Sequence, residues 1–174
     1  MIASLDAGLR DSEGETAPAR FVIAHDDYHA ELVGRAADGR QFFITTPFGS
    51  ATYGQTSTEF VARYLFDAEG ALVDATIVPL GARPETVALP GNGWRFTAQA
   101  EALEQLLSEI QPVAFGNIEI SPFSITAHGQ EFGLILHGPD PEHPDDDDWH
   151  WTVTVEPGDY MAFYSPWDSG EYDT

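Results

Sequence analysis

Alternating hydrophobic residues, joined by tight turns, recur along this chain and constrain its fold more than any other feature. One internal example is the range 60–66, where every second residue belongs to one set: Phe60, Ala62, Tyr64 and Phe66. Because successive side chains of a strand point to opposite faces, this period of two predicts a strand. Gly70 can adopt a positive φ and turn the chain. Residues 71–78 are therefore predicted to return as the partner strand.

Further hairpins are predicted by the same pattern. The Asp38-Gly39 step lies between hydrophobic segments at 32–36 and 41–45, and it suits a type I′ turn. Other tight turns are indicated at His128-Gly129 and Pro157-Gly158. The remaining strand signals cover 117–120, 123–127, 132–136, 149–155 and 160–164.

One segment has helical periodicity instead. Its apolar residues recur at i, i+3, i+4 and i+7 and form one stripe: Leu103, Leu106, Leu107 and Ile110. Thr97 suits an N-cap, and Pro112 stops the pattern. These signals predict one amphipathic helix over about 97–111. Residues 80–95 are rich in Gly and Pro and are predicted to be a loop.

Neighbouring strands and a single helix predict an α+β fold, mainly antiparallel β-sheet, with the helix packed on one face. The strand spacing also fits a sandwich or a barrel. A length of 174 residues with 43% hydrophobic residues suits a single domain over 1–174. Within it we expect a loose N-terminal arm at 1–20 and an acidic loop at 138–148.

Missing residue types exclude several kinds of chemistry. The chain has no Cys, and all seven basic residues are Arg, so thiolate nucleophiles, sulfur-based zinc sites, Schiff bases and a phosphate-loop lysine are excluded. A net charge of −22 repels phosphates and anionic membranes and attracts basic proteins. No signal peptide or membrane-length apolar run is visible. We therefore expect a cytoplasmic protein with a basic protein partner, no direct contact with nucleic acid or membrane, and no cofactor; the oligomeric state is left open.

Acidic and aromatic residues concentrate together near the C-terminus. From Gly138 onward there are eleven acids and no arginine. Aromatic anchors supply interface energy, and surrounding acids steer and pair with cationic partners. Trp149 and Trp151 share a strand face and are interpreted as core residues. The residues predicted to bind a partner are Asp145, Asp146, Asp147, Asp148, Trp167, Asp168, Glu171, Tyr172 and Asp173.

Histidines offer the main enzyme-like alternative. His25 and His29 are four residues apart, and His143 and His150 flank the aspartates at 145–148. Histidine and carboxylate ligands suit zinc or a hard divalent cation. The metalloprotease pattern, the calcium-loop pattern and the Gly-x-Ser-x-Gly elbow are all missing from the sequence. No catalytic residue or metal ligand is therefore assigned.

Two stretches carry a resemblance. Gly34-Arg35-Ala36-Ala37-Asp38-Gly39-Arg40-Gln41-Phe42-Phe43 and Tyr64-Leu65-Phe66-Asp67-Ala68-Glu69-Gly70 resemble a pattern in small acidic bacterial proteins of unknown function. The overall profile is similar to that of immunity proteins from bacterial toxin systems, which are small, acidic and of mixed α/β structure. This resemblance implies an inhibitor that neutralises a basic toxin or enzyme by protein contact.

Three further hypotheses stay open beside the inhibitor. A nucleic-acid mimic, or anti-defence protein, would present carboxylates spaced like phosphates on one exposed face. A small metal-binding enzyme would bring His25, His29, His143 or His150 together in one pocket. An accessory domain would use its acidity only for solubility.

Overall fold

Antiparallel strands make up most of the regular structure. The computed structural model describes residues 16–49, 58–82, 87–89, 93–95, 97–138, 142, 150–158 and 160–174. The strands in this part of the chain are β1 (Phe21–Ile23), β2 (Val33–Ala36), β3 (Gln41–Thr45), β4 (Thr58–Phe66), β5 (Leu72–Ala82), β6 (Val87–Leu89), β7 (Gly93–Arg95), β8 (Pro112–Phe115), β9 (Ile118–Ile120), β10 (Phe123–Ala127), β11 (Gln130–His137), β12 (Thr152–Glu156) and β13 (Ala162–Phe163). The helix α1 covers Thr97–Ile110. The predicted α+β class with mainly antiparallel sheet is confirmed.

A five-stranded antiparallel sheet in the order β5-β4-β3-β2-β8 forms the central layer. The alternation predicted for β4 is correct, but both sets of its side chains are buried. Tyr64 and Phe66 enter one hydrophobic core, whereas Val61 and Leu65 enter another. The central sheet is therefore covered on both faces, which explains why β4 is almost continuously apolar.

The larger core lies between the central sheet and a second antiparallel sheet in the order β10-β11-β12-β13. Leu134 of β11 and Val153 and Val155 of β12 are buried in it. The short pair formed by β1 and β9 contributes Phe21 and Ile120, both fully enclosed. Two sheets packed through one apolar layer give the sandwich that the strand spacing allows.

The smaller core lies between the central sheet and the helix. Leu103, Leu106 and Ile110 are buried on one side of α1, and they pack in the same cluster as Val61 and Leu65 of β4. The predicted apolar stripe is correct, and the helix covers one face of the sheet as expected.

Two predicted turns have different outcomes. His128 and Gly129 have φ values of 51° and 74° between the paired residues Ala127 and Gln130, as a type I′ turn requires. At Asp38-Gly39 the type I′ prediction is wrong, because only the glycine has a positive φ. The Gly39 N–H donates to the Ala36 carbonyl at 3.0 Å, which makes a three-residue loop with the glycine in the left-handed position.

The segment 80–95 is not entirely a loop. β5 continues to Ala82, and β6 pairs with β7 as a short antiparallel hairpin. β1 and β8, which are three and four residues long, are also not predicted from the sequence. Pro112 opens β8, and a proline is tolerated there because it is the first residue of a strand at the sheet edge.

Two predicted irregular segments fall largely outside the described residues. Of the N-terminal arm at 1–20, the structure describes only 16–20, which contain no helix or strand. Of the acidic loop at 138–148, it describes residues 138 and 142.

Candidate functional site

The C-terminal segment, defined as residues 164–174, is held to the rest of the fold by backbone hydrogen bonds. The Val22 N–H of β1 donates to the Trp167 carbonyl at 2.7 Å. Asp173 exchanges two hydrogen bonds with Ala162 of β13, each at 2.9 Å. The segment is therefore an ordered part of the fold, and its side chains are presented from a fixed backbone.

Gly170 is the point of closest approach within this segment. Its carbonyl accepts a hydrogen bond from the Ala24 N–H at 3.2 Å, and its φ is 74°. A Cβ at this position would lie 2.7 Å from both the backbone nitrogen and the Cβ of Ala24. The segment can dock this closely because a glycine has no side chain and tolerates the left-handed conformation.

Trp167 and Tyr172 anchor the segment by packing. Both are partly buried against the larger core. The Tyr172 ring centroid lies 5.7 Å from that of Phe163 and 6.1 Å from that of His29. These two aromatic residues are predicted partner contacts, and in the free chain a large part of each contacts the fold itself.

Tyr172 also connects the segment to the turn that follows β1. Its hydroxyl donates to Oδ2 of Asp26 at 2.5 Å and accepts a hydrogen bond from the His29 N–H at 3.0 Å. Oδ1 of Asp26 accepts from the backbone N–H groups of Tyr28 at 2.9 Å and Ala30 at 3.0 Å. An aspartate that accepts from following backbone amides stabilises a turn. This network fixes the backbone that carries Tyr28.

The same network shifts two pKa values. Burial raises the pKa of Asp26, but the hydrogen bonds from Tyr172, Tyr28 and Ala30 together outweigh it, so the pKa lies below the ordinary value. Burial, followed by the hydrogen bond to Asp26, raises the pKa of Tyr172 to about 12. At neutral pH the aspartate is charged and the tyrosine is protonated, which is the pair of states that this hydrogen bond needs.

A first cleft of about 550 Å³ opens between the C-terminal segment and the turn after β1. The Tyr28 side chain is 68% exposed and the Tyr164 side chain 40% exposed, and both line this cleft. Its acidic lining residues are Asp26, Glu171 and Asp173. The cleft thus combines accessible aromatic rings with carboxylates.

A second cleft of about 370 Å³ adjoins the first, since Tyr28 lines both. Tyr160, which is 65% exposed, contributes another accessible ring and lies 5.8 Å from Phe48 between ring centroids. Glu31 and Leu32 also line this cleft. We call the three tyrosines together with the four acids of the two clefts the tyrosine face; its members are Asp26, Tyr28, Glu31, Tyr160, Tyr164, Glu171 and Asp173.

The arginines in the described part of the chain lie outside the lining of the two clefts. Three arginines instead form ion pairs elsewhere: Arg20 with Glu119 at 3.5 Å, Arg40 with Asp38 at 2.6 Å and Arg63 with Glu109 at 2.8 Å. Glu171 and Asp173, both exposed on the C-terminal segment, are the carboxylates of the face that a cationic partner would contact first.

The residues predicted to bind a partner have different locations. Asp168, Glu171 and Asp173 are exposed on the C-terminal segment, where Trp167 and Tyr172 are partly buried. Of these five, the first cleft brings together Glu171, Tyr172 and Asp173. Asp145, Asp146, Asp147 and Asp148 lie outside the described residues.

Sequence reasoning misses the exposed tyrosines as site residues. Tyr28 lies in the turn after β1, far in sequence from the acidic C-terminal region, and is brought to it by the fold. Tyr160 and Tyr164 stand on either side of β13, where alternation alone does not tell which face is covered. The Asp26-x-Tyr28 spacing was the available signal, because it is typical of an aspartate-stabilised turn.

The histidines of the metal hypothesis have other contacts where they are described. Nε2 of His25 lies 3.1 Å from the Glu31 carbonyl oxygen, and its ring stacks on Phe115 with centroids 5.9 Å apart. His150 is exposed, and His143 lies outside the described residues. Within the described ranges, no group of three or more His, Asp or Glu is arranged to hold a metal ion.

Comparison with known proteins finds no relative: no family model matches the sequence, and no curated protein or solved structure is significantly similar to it. The single helix in the described part of the chain is too short and too polar to cross a bilayer. The geometry of the site is therefore the basis for proposing a function.

Proposed function

We propose that this chain is a non-catalytic acidic binding protein, an inhibitor of the immunity type, that neutralises a basic toxin or enzyme by direct contact. The observation that carries the proposal is the tyrosine face. Three accessible tyrosines stand among four carboxylates there, and no described arginine lines either cleft.

The tyrosine face would both anchor a partner and steer its approach. Tyrosine buries a large apolar ring at low entropic cost and keeps a hydroxyl for hydrogen bonding, so accessible tyrosines are typical interface anchors. Carboxylates around them pair with Arg or Lys of a partner. The net charge of −22 accelerates encounter with a cationic protein and makes the association rate depend on salt.

The backbone of the tyrosine face is ordered before a partner binds, and this favours a stable inhibitory complex over a transient association. Tyr172 and Asp26 hold Tyr28 in place through hydrogen bonds, and the C-terminal segment is bound to β1 and β13 before any partner arrives. An interface that is ordered in advance loses less conformational entropy on binding. We further propose that the inhibitor meets its target in the cytoplasm.

The test begins with the immobilised chain and a lysate of the source organism at low and high salt. A basic protein retained in stoichiometric amount is identified by mass spectrometry, purified and assayed for its own activity with and without the chain. We expect a one-to-one complex and loss of the target's activity.

Matched variants locate the interface. E171Q/D173N removes two charges from the tyrosine face, whereas D74N/E104Q removes two charges from β5 and the helix. The first should weaken the complex at least tenfold, and the second should leave it within about twofold. Equal weakening by both would mean that charge alone attracts the partner, and it would overturn the proposed interface.

The nucleic-acid mimic is separated by competition. If the captured protein binds DNA or RNA, and a duplex oligonucleotide displaces the chain from it, the carboxylates occupy a phosphate-binding site. If displacement fails while the target's activity remains inhibited, the inhibitor proposal stands in its original form.

A further inference from the structure

We infer that the first cleft is a receptor for the guanidinium group of one arginine side chain of the partner. This inference rests on the proposed function, since it names the group that the tyrosine face recognises. It depends on the distribution of rings and carboxylates in the cleft.

The carboxylates of the cleft divide into one structural and two available groups. Both oxygens of Asp26 accept hydrogen bonds, from Tyr172 and from the backbone amides of Tyr28 and Ala30. Glu171 and Asp173 are exposed, and neither carboxylate has a hydrogen bond or ion pair with another described residue. Asp26 therefore adds a fixed negative charge, while the other two can accept hydrogen bonds from a ligand.

The two rings favour arginine over lysine. A planar guanidinium stacks on an aromatic face and still donates along its edges to carboxylates, whereas an ammonium is compact and strongly hydrated. Tyr28 and Tyr164 line the same cleft as Glu171 and Asp173. Stacking on the rings and hydrogen bonding to the carboxylates can therefore occur in one place.

The first cleft has the size and position for this role. A volume of about 550 Å³ lies within the range of sites that take a small ligand or a long side chain. The Tyr28 ring packs against the His29 ring, with centroids 4.1 Å apart and planes inclined at 63°. The second cleft, which also contains Tyr28, can take the partner residues that flank the arginine.

The test uses hexa-arginine and hexa-lysine peptides as probes, with binding to the full chain followed by NMR amide shifts. We expect hexa-arginine to bind about fivefold more tightly than hexa-lysine, with the largest shifts at Tyr28, Tyr164 and Glu171. Y28L/Y164L keeps apolar bulk but removes the rings, and it should reduce the ratio of the affinities for hexa-arginine and hexa-lysine to about one. E171Q/D173N should weaken both peptides, while D74N/E104Q should not.

Other outcomes overturn the assignment. Equal binding of the two peptides to the unmodified chain would mean that only net charge is recognised. The same conclusion would follow from shifts spread over Asp74 and Glu104. Y28F/Y164F retains the rings, so loss of the arginine preference in that variant would exclude stacking as its cause.

The two proposals fail separately. A captured target that is inhibited, together with equal peptide binding, would remove the guanidinium receptor and leave the inhibitor. An arginine preference at Tyr28 and Tyr164 without any inhibited protein target would keep the receptor and remove the inhibitor.

Discussion

Asp26 shows how one side chain can organise the site without itself contacting a partner. It accepts hydrogen bonds from the amides that follow it and from the hydroxyl of Tyr172 at the other end of the chain. This carboxylate therefore orders the turn that presents Tyr28 and fastens the C-terminal segment to it. No local sequence pattern links residues 26 and 172, so the fold alone reveals the pair.

The lowered pKa of Asp26 makes this contribution depend on pH. Because its pKa is lower in the folded chain than in the unfolded chain, its stabilisation is fully present above the ordinary aspartate value and is lost as the pH falls through the folded pKa. We expect D26N to lower the free energy of unfolding by about 1–2 kcal/mol at pH 7, through loss of hydrogen bonds to a charged acceptor. The difference between D26N and the unmodified chain should shrink below about pH 4, measured by urea unfolding.

D27N is the matched control, since it removes the same charge from the exposed neighbouring residue. It should change the free energy of unfolding by less than about 0.5 kcal/mol. If D26N and D27N had equal effects, the role assigned to the Asp26 hydrogen bonds would be wrong.

At the scale of elements, the C-terminal segment is the part that pattern reasoning describes least well. Alternation and turn signals predict the strands of both large sheets except β8, because each of the others has an alternating period or an adjoining turn glycine. Residues 164–174 have no such period, and Gly170 does not lie between two alternating segments. Their position depends on hydrogen bonds to β13 and to the region of β1, which is distant in sequence. Pairings of short strands such as β1 with β9 are hidden for the same reason.

Gly170 offers a direct test of how the segment is docked. In G170A, the left-handed φ and the new Cβ 2.7 Å from the backbone of Ala24 should force the segment away from β1. We expect the amides of Val22 and Ala24, which donate to Trp167 and Gly170, to exchange hydrogen for deuterium at least tenfold faster.

G39A is the control for backbone strain. Gly39 has a φ of 89°, yet nothing lies within 4 Å of a Cβ built there. G39A therefore has a similar conformational cost in a remote turn, and it should leave hydrogen–deuterium exchange at Val22 and Ala24 unchanged. Unchanged exchange in G170A would show that close approach at this glycine does not hold the segment.

At the scale of the whole molecule, the sequence predicts the class of fold better than the layering. Val61 and Leu65 alternate with Tyr64 and Phe66, which identifies a strand but not that both faces are covered. The helix prediction holds because its stripe, N-terminus and following proline agree. The acidic character of the site could be predicted from composition along the chain. Its tyrosines could not, because only the fold brings Tyr28 and Tyr164 to the same cleft.

Arg63 connects two of the three layers and lies within an otherwise apolar contact. Its side chain is 8% exposed on β4, where it donates through Nη1 to the Leu106 carbonyl at 2.9 Å and to Glu109 at 2.8 Å. Nη2 donates to the hydroxyl of Thr76 at 3.2 Å. One buried guanidinium thus ties the central sheet to the last turns of the helix.

Removing either Arg63 or Glu109 should lower the free energy of unfolding. Removing both should lower it by less than the sum of the two single losses. R63M loses three hydrogen bonds but leaves an apolar side chain in an apolar layer, for an expected loss of about 1–3 kcal/mol. E109Q leaves the buried guanidinium without its counter-charge, so it should also destabilise. In R63M/E109Q the buried guanidinium charge is absent as well, so the double variant should lose less stability than the two single variants together. Urea unfolding of the unmodified chain, the two single variants and the double variant measures this coupling. As a control on the same helix, E104Q should leave the free energy of unfolding unchanged. If the effects of R63M and E109Q on that free energy are strictly additive, the ion pair does not join the layers.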